Sequence, residues 1–238
     1  MGLNHVLVLV TCLASTLVVA QDNYRDRLTE KVGMYRVATG DFAPVYPALA
    51  KQIVGDYGIV EGICVDVGGG TGHLAMEVAK ITKLTVYNLD IDADAVRLSG
   101  ILVDEAELRG RVLPVEGDAQ SMPFKDGFAD LVVSRGSIPF WPDRVKGIQE
   151  CYRILKPGGV AYIGGGFSRI LPEAIRTPIV ERHRAAFAKH TPEGFKPPND
   201  LDEVARQAGL PEGTYRLIRE PQMGAWLEIR KPLAPPKE

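Results

Sequence analysis

From Gly62 onward, short runs of β-branched and aliphatic residues alternate with stretches whose apolar positions recur every three or four residues. That is the pattern of strands alternating with amphipathic helices. The runs predict strands over 62–67, 84–89, 111–115, 129–134 and 159–165, and the periodic stretches predict helices near 72–81, 93–107 and 143–155. The last helix sets Val145, Ile148, Tyr152 and Leu155 on one face and meets a stop at Lys156-Pro157-Gly158-Gly159. A helix at about 172–189, another at 200–208 and two strands, 213–219 and 225–230, complete a body spanning 61–231, the final pair reading as a hairpin at a sheet edge. Such alternation is satisfied by a doubly wound α/β fold, a parallel sheet with helices on both faces. No internal repeat is visible, and the Pro-rich residues 232–238 read as a loose tail.

Residues 21–60 read as an N-terminal helical cap interrupted by Gly33, Gly40, Pro44 and Pro47. Its Tyr24, Tyr35, Phe42, Tyr46 and Tyr57 fit either the cover of a pocket or plain packing on the sheet. Ahead of it, Val6 to Ala20 is almost unbroken apolar or small. The length and the small residues before Gln21 suit a signal peptide cleaved after Ala20, hence export. The absence of Lys or Arg before the run, against Arg25, Arg27, Lys31 and Arg36 after it, suits an uncleaved anchor at residues 6–20 with the body cytoplasmic. A mis-assigned start is the third reading.

Composition narrows the function. With 45% hydrophobic and 24% charged residues the chain is an ordinary globular protein, one large domain with an appendage. Lys plus Arg at 28 against Asp plus Glu at 30 leaves no basic surplus for a phosphate backbone, so no nucleic-acid partner is expected. Cys12, Cys64 and Cys151 have no metal-ligand spacing, which excludes a cysteine zinc site and makes a disulfide framework improbable.

The chemistry concentrates after the first strand, at Val65-Asp66-Val67-Gly68-Gly69-Gly70-Thr71-Gly72. A strand, a tight glycine turn and a helix N-terminus form a cradle in which absent Cβ atoms admit a ligand and free amides face it. The dinucleotide fingerprint fails, because its third glycine falls on His73. Asp90 ends the second strand, eighteen residues beyond Gly72, where a carboxylate accepts from two ribose hydroxyls; Asp92 fits a helix cap instead. Glu116-Gly117-Asp118-Ala119 puts a carboxylate and a backbone amide at the third strand tip, suited to an exocyclic amine and a ring nitrogen.

DVGGGTG, then LDID, then EGDAQSMPFKDGFADLVVSRGSIPFW, then YRILKPGG, in order over residues 60–166, resemble the class I S-adenosylmethionine-dependent methyltransferases, in particular the small-molecule branch that includes quinone-biosynthesis C-methyltransferases. The resemblance implies a Rossmann-like seven-stranded sheet, mostly parallel with the last strand antiparallel, and S-adenosyl-L-methionine as cofactor. It implies that Asp66 and the loop of Gly68, Gly69, Gly70 and Gly72 hold the cofactor's amino-acid part, that Asp90 binds ribose, and that Ile91 packs on adenine. Asp118 with Ala119 then reads the adenine edge, and Ser134 and Arg135 lie at the fourth strand tip beneath methyl group and acceptor. Relatives acting on nucleobases or glutamine carry a Pro-Pro motif at that tip, and metal-dependent ones carry paired acids; Ser134-Arg135-Gly136-Ser137 fits neither, so a small-molecule acceptor and no metal are expected.

Displacement at a sulfonium needs alignment more than a base, and none is assigned; His73, His183 and His190 are the nearest candidates. Arg135 suits substrate positioning by holding an anionic substrate, or it holds the cofactor carboxylate, or it pairs with Asp130 or Asp143. Phe140 and Trp141 fit either an acceptor wall or the core. The rival reading, motivated by the leader, is a non-catalytic exported binding protein of the same fold.

Overall fold

In a computed structural model of the chain, five of the apolar runs become β1 (Ile63–Val67), β2 (Thr85–Asp90), β3 (Val112–Glu116), β4 (Ala129–Arg135) and β5 (Leu155–Gly166). The residues described are 23–189, 191, 195, 200–220 and 222–234; the apolar leader, Gln21, His190 and the end of the tail lie outside them. With β6 (Tyr215–Glu220) and β7 (Gly224–Arg230) the strands form one sheet in the order β3-β2-β1-β4-β5-β7-β6. Pairing is parallel from β3 to β5, and β7 runs antiparallel to both of its neighbours, so the sheet is mostly parallel with its last strand reversed.

The central strands β1 and β4 are largely apolar because both faces are covered. In β4, Leu131 and Val133 pack under α3 (Val45–Tyr57), α4 (His73–Ile81) and α5 (Ala93–Glu105), whereas Ala129 and Val132 face α6 (Arg144–Ile154) and α8 (Leu201–Gln207). Asp92 caps α5, accepting from the amides of Asp94 and Ala95, and Asp143 caps α6 by accepting from Lys146. A helix over 23–31 (α1) and α2 (Gly33–Thr39) precede α3, adding Leu28, Val32 and Ala38 to the first face. Pro47 falls in the first turn of α3, where a missing amide costs nothing, and α3 closes on Gly58 at φ +65°. Helix α7 (Glu173–Lys189) follows β5. Among the described residues no helix is long and apolar enough to cross a membrane.

One boundary differs from expectation. Strand β5 begins at Leu155, four residues before the predicted start, because the Lys156-Pro157-Gly158-Gly159 segment is an irregularity within the strand. Gly158, at φ +80°, donates its amide to the Lys231 carbonyl at 2.8 Å, and Lys231 donates back to Gly159 at 3.0 Å. The chain after β7 is thereby tied down as far as Lys231.

The strand order reverses between β1 and β4, whose carboxyl ends leave a crevice flanked by loops that diverge. In an open parallel sheet this is where ligands sit.

Candidate functional site

A cavity of about 400 Å³ opens at that crevice, lined by the glycine loop, the tips of β2, β3 and β4, and the α2–α3 cover. Its size falls within the usual range of ligand pockets. The loop turns through positive φ at Gly68 (+64°), Gly70 (+55°) and Gly72 (+81°), which side chains resist. The glycines serve different ends. A Cβ on Gly70 would meet nothing within 4 Å and would project into open space, whereas one on Gly69 would lie 2.0 Å from Asn88 Oδ1 and 2.8 Å from Asp66 Cγ.

Free loop amides were expected, and the structure corrects that. Gly68 and Gly69 donate to the Leu89 carbonyl, Gly72 donates to Gly69, and Gly70 donates to Asp90 Oδ2 at 2.7 Å. The four glycines therefore contribute room rather than unpaired donors. Gly72 does not line the cavity; a Cβ there would lie 2.6 Å from Ser99 Oγ, so this glycine lets α4 start close to α5.

Beneath the loop, Asp66 is fully buried and neither carboxylate oxygen has a hydrogen-bond partner. Burial pushes its pKa up to about 7, helped by the charge of Asp90 and opposed by the Ala75 amide. Asn88, buried in the middle of β2, donates to the Gly70 carbonyl at 2.9 Å and to Ser99 at 3.1 Å, but its Oδ1 is unpartnered. Both unsatisfied side chains flank Gly69, but only Asp66 lines the cavity, where its carboxylate calls for a donor from a ligand. Sequence reading missed Asn88; an amide in an otherwise apolar strand was the available signal.

At the tip of β2, Asp90 accepts from Gly70 through Oδ2 and from Asp92 through Oδ1, at 2.7 and 2.9 Å, which fixes its carboxylate toward the cavity. Burial raises its pKa against those backbone bonds. Ile91 beside it lines the cavity and is 70% exposed, an apolar surface with no protein cover. Asp118 and Ala119 line the opposite wall, with Gln120 donating to both Asp118 oxygens at 3.0 and 3.1 Å. Ser134 departs from expectation. It is fully buried outside the lining, its hydroxyl 2.7 Å from that of Ser137, and Ser137 takes its place in the wall.

The remaining walls are apolar: Met34, Ala38, Tyr46, Phe140 and Trp141. Arg135 pairs with neither Asp130, which binds Lys156 at 2.6 Å, nor Asp143, which caps α6. Its guanidinium lies 4.3 Å from the centroid of Phe42 and 5.4 Å from that of Tyr46, and its Nε donates to the Gly166 carbonyl at 3.3 Å. His73 lines the cavity with its Nδ1 2.8 Å from the Thr71 hydroxyl, and burial lowers its pKa. His183 lies outside the lining, edge-on to Phe42 at 4.3 Å.

A second cleft, of about 350 Å³, lies at the β5–β7–β6 edge, but its cations are met by its own acids: Arg169 by Asp56, and Arg216 and Arg230 by Glu228.

Residues 65–163 match the family model of a methyltransferase domain. The chain is 41% identical over 101 residues to the chloroplastic 2-methyl-6-phytyl-1,4-hydroquinone methyltransferase of Arabidopsis thaliana, a match covering 42% of this chain and 29% of that protein. It is 28% identical over 149 residues to the ubiquinone/menaquinone biosynthesis C-methyltransferase UbiE of Geobacter sp. (strain M21), covering 56% and 63%. The chain thus spans under a third of the plant relative's length. Among solved structures, a Methanococcus maripaludis protein described as an S-adenosyl-L-methionine-dependent methyltransferase superposes with a TM-score of 0.75 at 31% identity, covering 86% of this chain and 93% of that one.

Proposed function

The chain belongs to the S-adenosyl-L-methionine-dependent methyltransferases, and on that premise we propose that it transfers the cofactor's methyl group to a small, largely apolar acceptor held in the cavity at the tips of β1, β2 and β4. The observation that carries this reading is Asp66: a fully buried carboxylate without a partner, packed against Gly69, next to Gly70 whose missing side chain leaves open space. A ligand ammonium would satisfy such a carboxylate, and a buried charge left without one is costly.

The cofactor, when bound, supplies a methyl group on a positively charged sulfur that is its own leaving group. What the chain does is hold and align. Asp66 takes the ammonium of the amino-acid part, and Gly70 gives that part room. Asp90, already oriented by two backbone amides, keeps lone pairs for the ribose hydroxyls. Ile91 offers an apolar face to the adenine, and Asp118 with the Ala119 backbone reads its edge. Tyr46, Phe140 and Trp141 would enclose the acceptor, exclude water and hold it against the cofactor's end of the cavity. The relatives' names speak of hydroquinone and quinone precursors; an aromatic-walled chamber of this kind suits a ring, and we take a phenolic ring as the acceptor.

The test is turnover of methyl-labelled cofactor with a panel of substituted hydroquinones. Label in an extractable product is expected. Cofactor binding without turnover across phenols, carboxylates and amines would favour the rival binding-protein reading.

A further inference from the structure

The three arginines of the second cleft each meet a carboxylate, but Arg135 does not. It is half-buried at the end of β4, no ion pair to it is found among the described residues, and its guanidinium lies between the rings of Phe42 and Tyr46 at 4.3 and 5.4 Å. Aromatic faces offset part of the cost of desolvating a cation, and they hold the fork rigid while leaving it electrostatically unneutralised. Its Nε donates to the Gly166 carbonyl at 3.3 Å and the guanidinium also hydrogen-bonds the neutral Tyr46 hydroxyl, neither of which neutralises its charge. Its charge is felt nearby: His183, edge-on to Phe42, is held below its usual pKa by burial and then by Arg135.

Position distinguishes this cation from the cofactor's end of the cavity. Phe42 and Tyr46 come from the loop before α3 and from α3 itself, the elements that cover the cavity, while the unpartnered acceptors Asp66 and Asn88 lie under the glycine loop. The cavity that Arg135 lines also presents the apolar Met34, Ala38, Phe140 and Trp141, and the titratable groups against its two rings are His73 beside Tyr46 and His183 beside Phe42, both held below their usual pKa by burial. A chamber with apolar sides and one unneutralised, forked cation selects a flat apolar molecule carrying a single anionic oxygen group.

We infer that Arg135 is the acceptor-selecting residue of this cavity, and that the acceptor binds as an anion, its ionised oxygen on the guanidinium and its ring against Tyr46, Phe140 and Trp141. The inference rests on the methyltransferase reading; it requires the acceptor to be an anion, a phenolate if the phenolic reading holds and an aromatic carboxylate if it does not. It also accounts for a site without an assigned base, because the cation lowers the acceptor's own pKa and keeps it ionised.

Calorimetry on the full chain saturated with S-adenosylhomocysteine tests this, using naphthoate, its uncharged isostere naphthamide, and a nitronaphtholate as the phenolate arm. Each anion is expected to bind at least about tenfold more tightly than the amide. Arg135→Gln should abolish the preference while leaving affinity for S-adenosylhomocysteine within about twofold, and Arg135→Lys should restore part of it. The stronger of the two anions identifies the class. Equal binding of anion and amide, binding of neither, or a preference that survives in Arg135→Gln overturns the inference. A large loss of S-adenosylhomocysteine affinity in Arg135→Gln also overturns it, placing the cation on the cofactor. Failure of the wild-type chain to bind S-adenosylhomocysteine at all would instead remove the methyltransferase reading beneath it.

Discussion

Gly69 and Gly70 are neighbours with opposite reasons to lack a side chain, and substitution separates them. At Gly70 a side chain enters open cavity at φ +55°, so Gly70→Val should cost about 1–2 kcal/mol of stability for the left-handed backbone and lower cofactor affinity more than about tenfold. Paired urea melts and calorimetry check this; unchanged affinity in the folded variant would contradict it. Asp66 gives a pH signature. Its folded pKa of about 7 lies above the ordinary carboxylate value, so unliganded protein is stabilised while Asp66 stays protonated and loses that stability as pH rises from the ordinary value through about 7. The loss reaches at most about 4 kcal/mol for some three units. Asp66→Asn should flatten the dependence of melting temperature on pH over this window, raise stability at about pH 8, and weaken cofactor binding. Glycine spacing, Asp66 and Asp90 were legible because their chemistry is local to one strand and its turn. The partners of Arg135 were not, since Phe42 and Tyr46 reach it only through the packing of α3 across the sheet.

At the scale of elements, one carboxylate links the hairpin β6–β7 to α3, in addition to the β5–β7 ladder. Glu228 on β7 accepts from Arg216 at 2.8 Å, Arg230 at 2.9 Å and Tyr57 at the end of α3 at 2.8 Å. Burial alone would raise its pKa, but those bonds win and bring it down to about 2. Its stabilisation is therefore present above the ordinary carboxylate range and is lost as pH falls toward about 2. Glu228→Ala should destabilise the fold by about 2–3 kcal/mol, since it strands a partly buried phenol beside two arginines whose exposure limits the loss. Chemical denaturation reads this directly, and cofactor affinity should not change, because Glu228 lines the second cleft and not the cavity. Strand and helix identities were readable from period because both faces of the sheet are covered. The start of β5 was not, because Pro and Gly ordinarily signal a turn, and here Gly158 and Gly159 instead exchange hydrogen bonds with Lys231, a pairing set by a strand end more than seventy residues on.

At the scale of the whole molecule, sheet order and chemistry converge. Reversal of direction between β1 and β4 opens the crevice, and the four strand tips bring Asp66, Asp90, Asp118 and Arg135 to one cavity from widely separated positions in the chain. Sequence order with known spacing made that convergence legible for all four; Ser134, next to Arg135 in sequence, instead points into the packed interior and hands its place to Ser137. The N-terminal helices close the same cavity from above through Met34, Ala38 and Tyr46, so the cap and the sheet act as one binding unit. The account's central claim is that this unit holds S-adenosyl-L-methionine with its ribose on Asp90. Calorimetric titration of the cofactor into wild-type protein and into Asp90→Ala tests it most directly. One-site binding is predicted, weakened in the variant by about 1.5–3 kcal/mol, a rise in Kd of roughly tenfold to a hundredfold, for the loss of charge-assisted bonds to two hydroxyls. No binding by the wild-type protein, or an unchanged Kd in a folded Asp90→Ala variant, would contradict it.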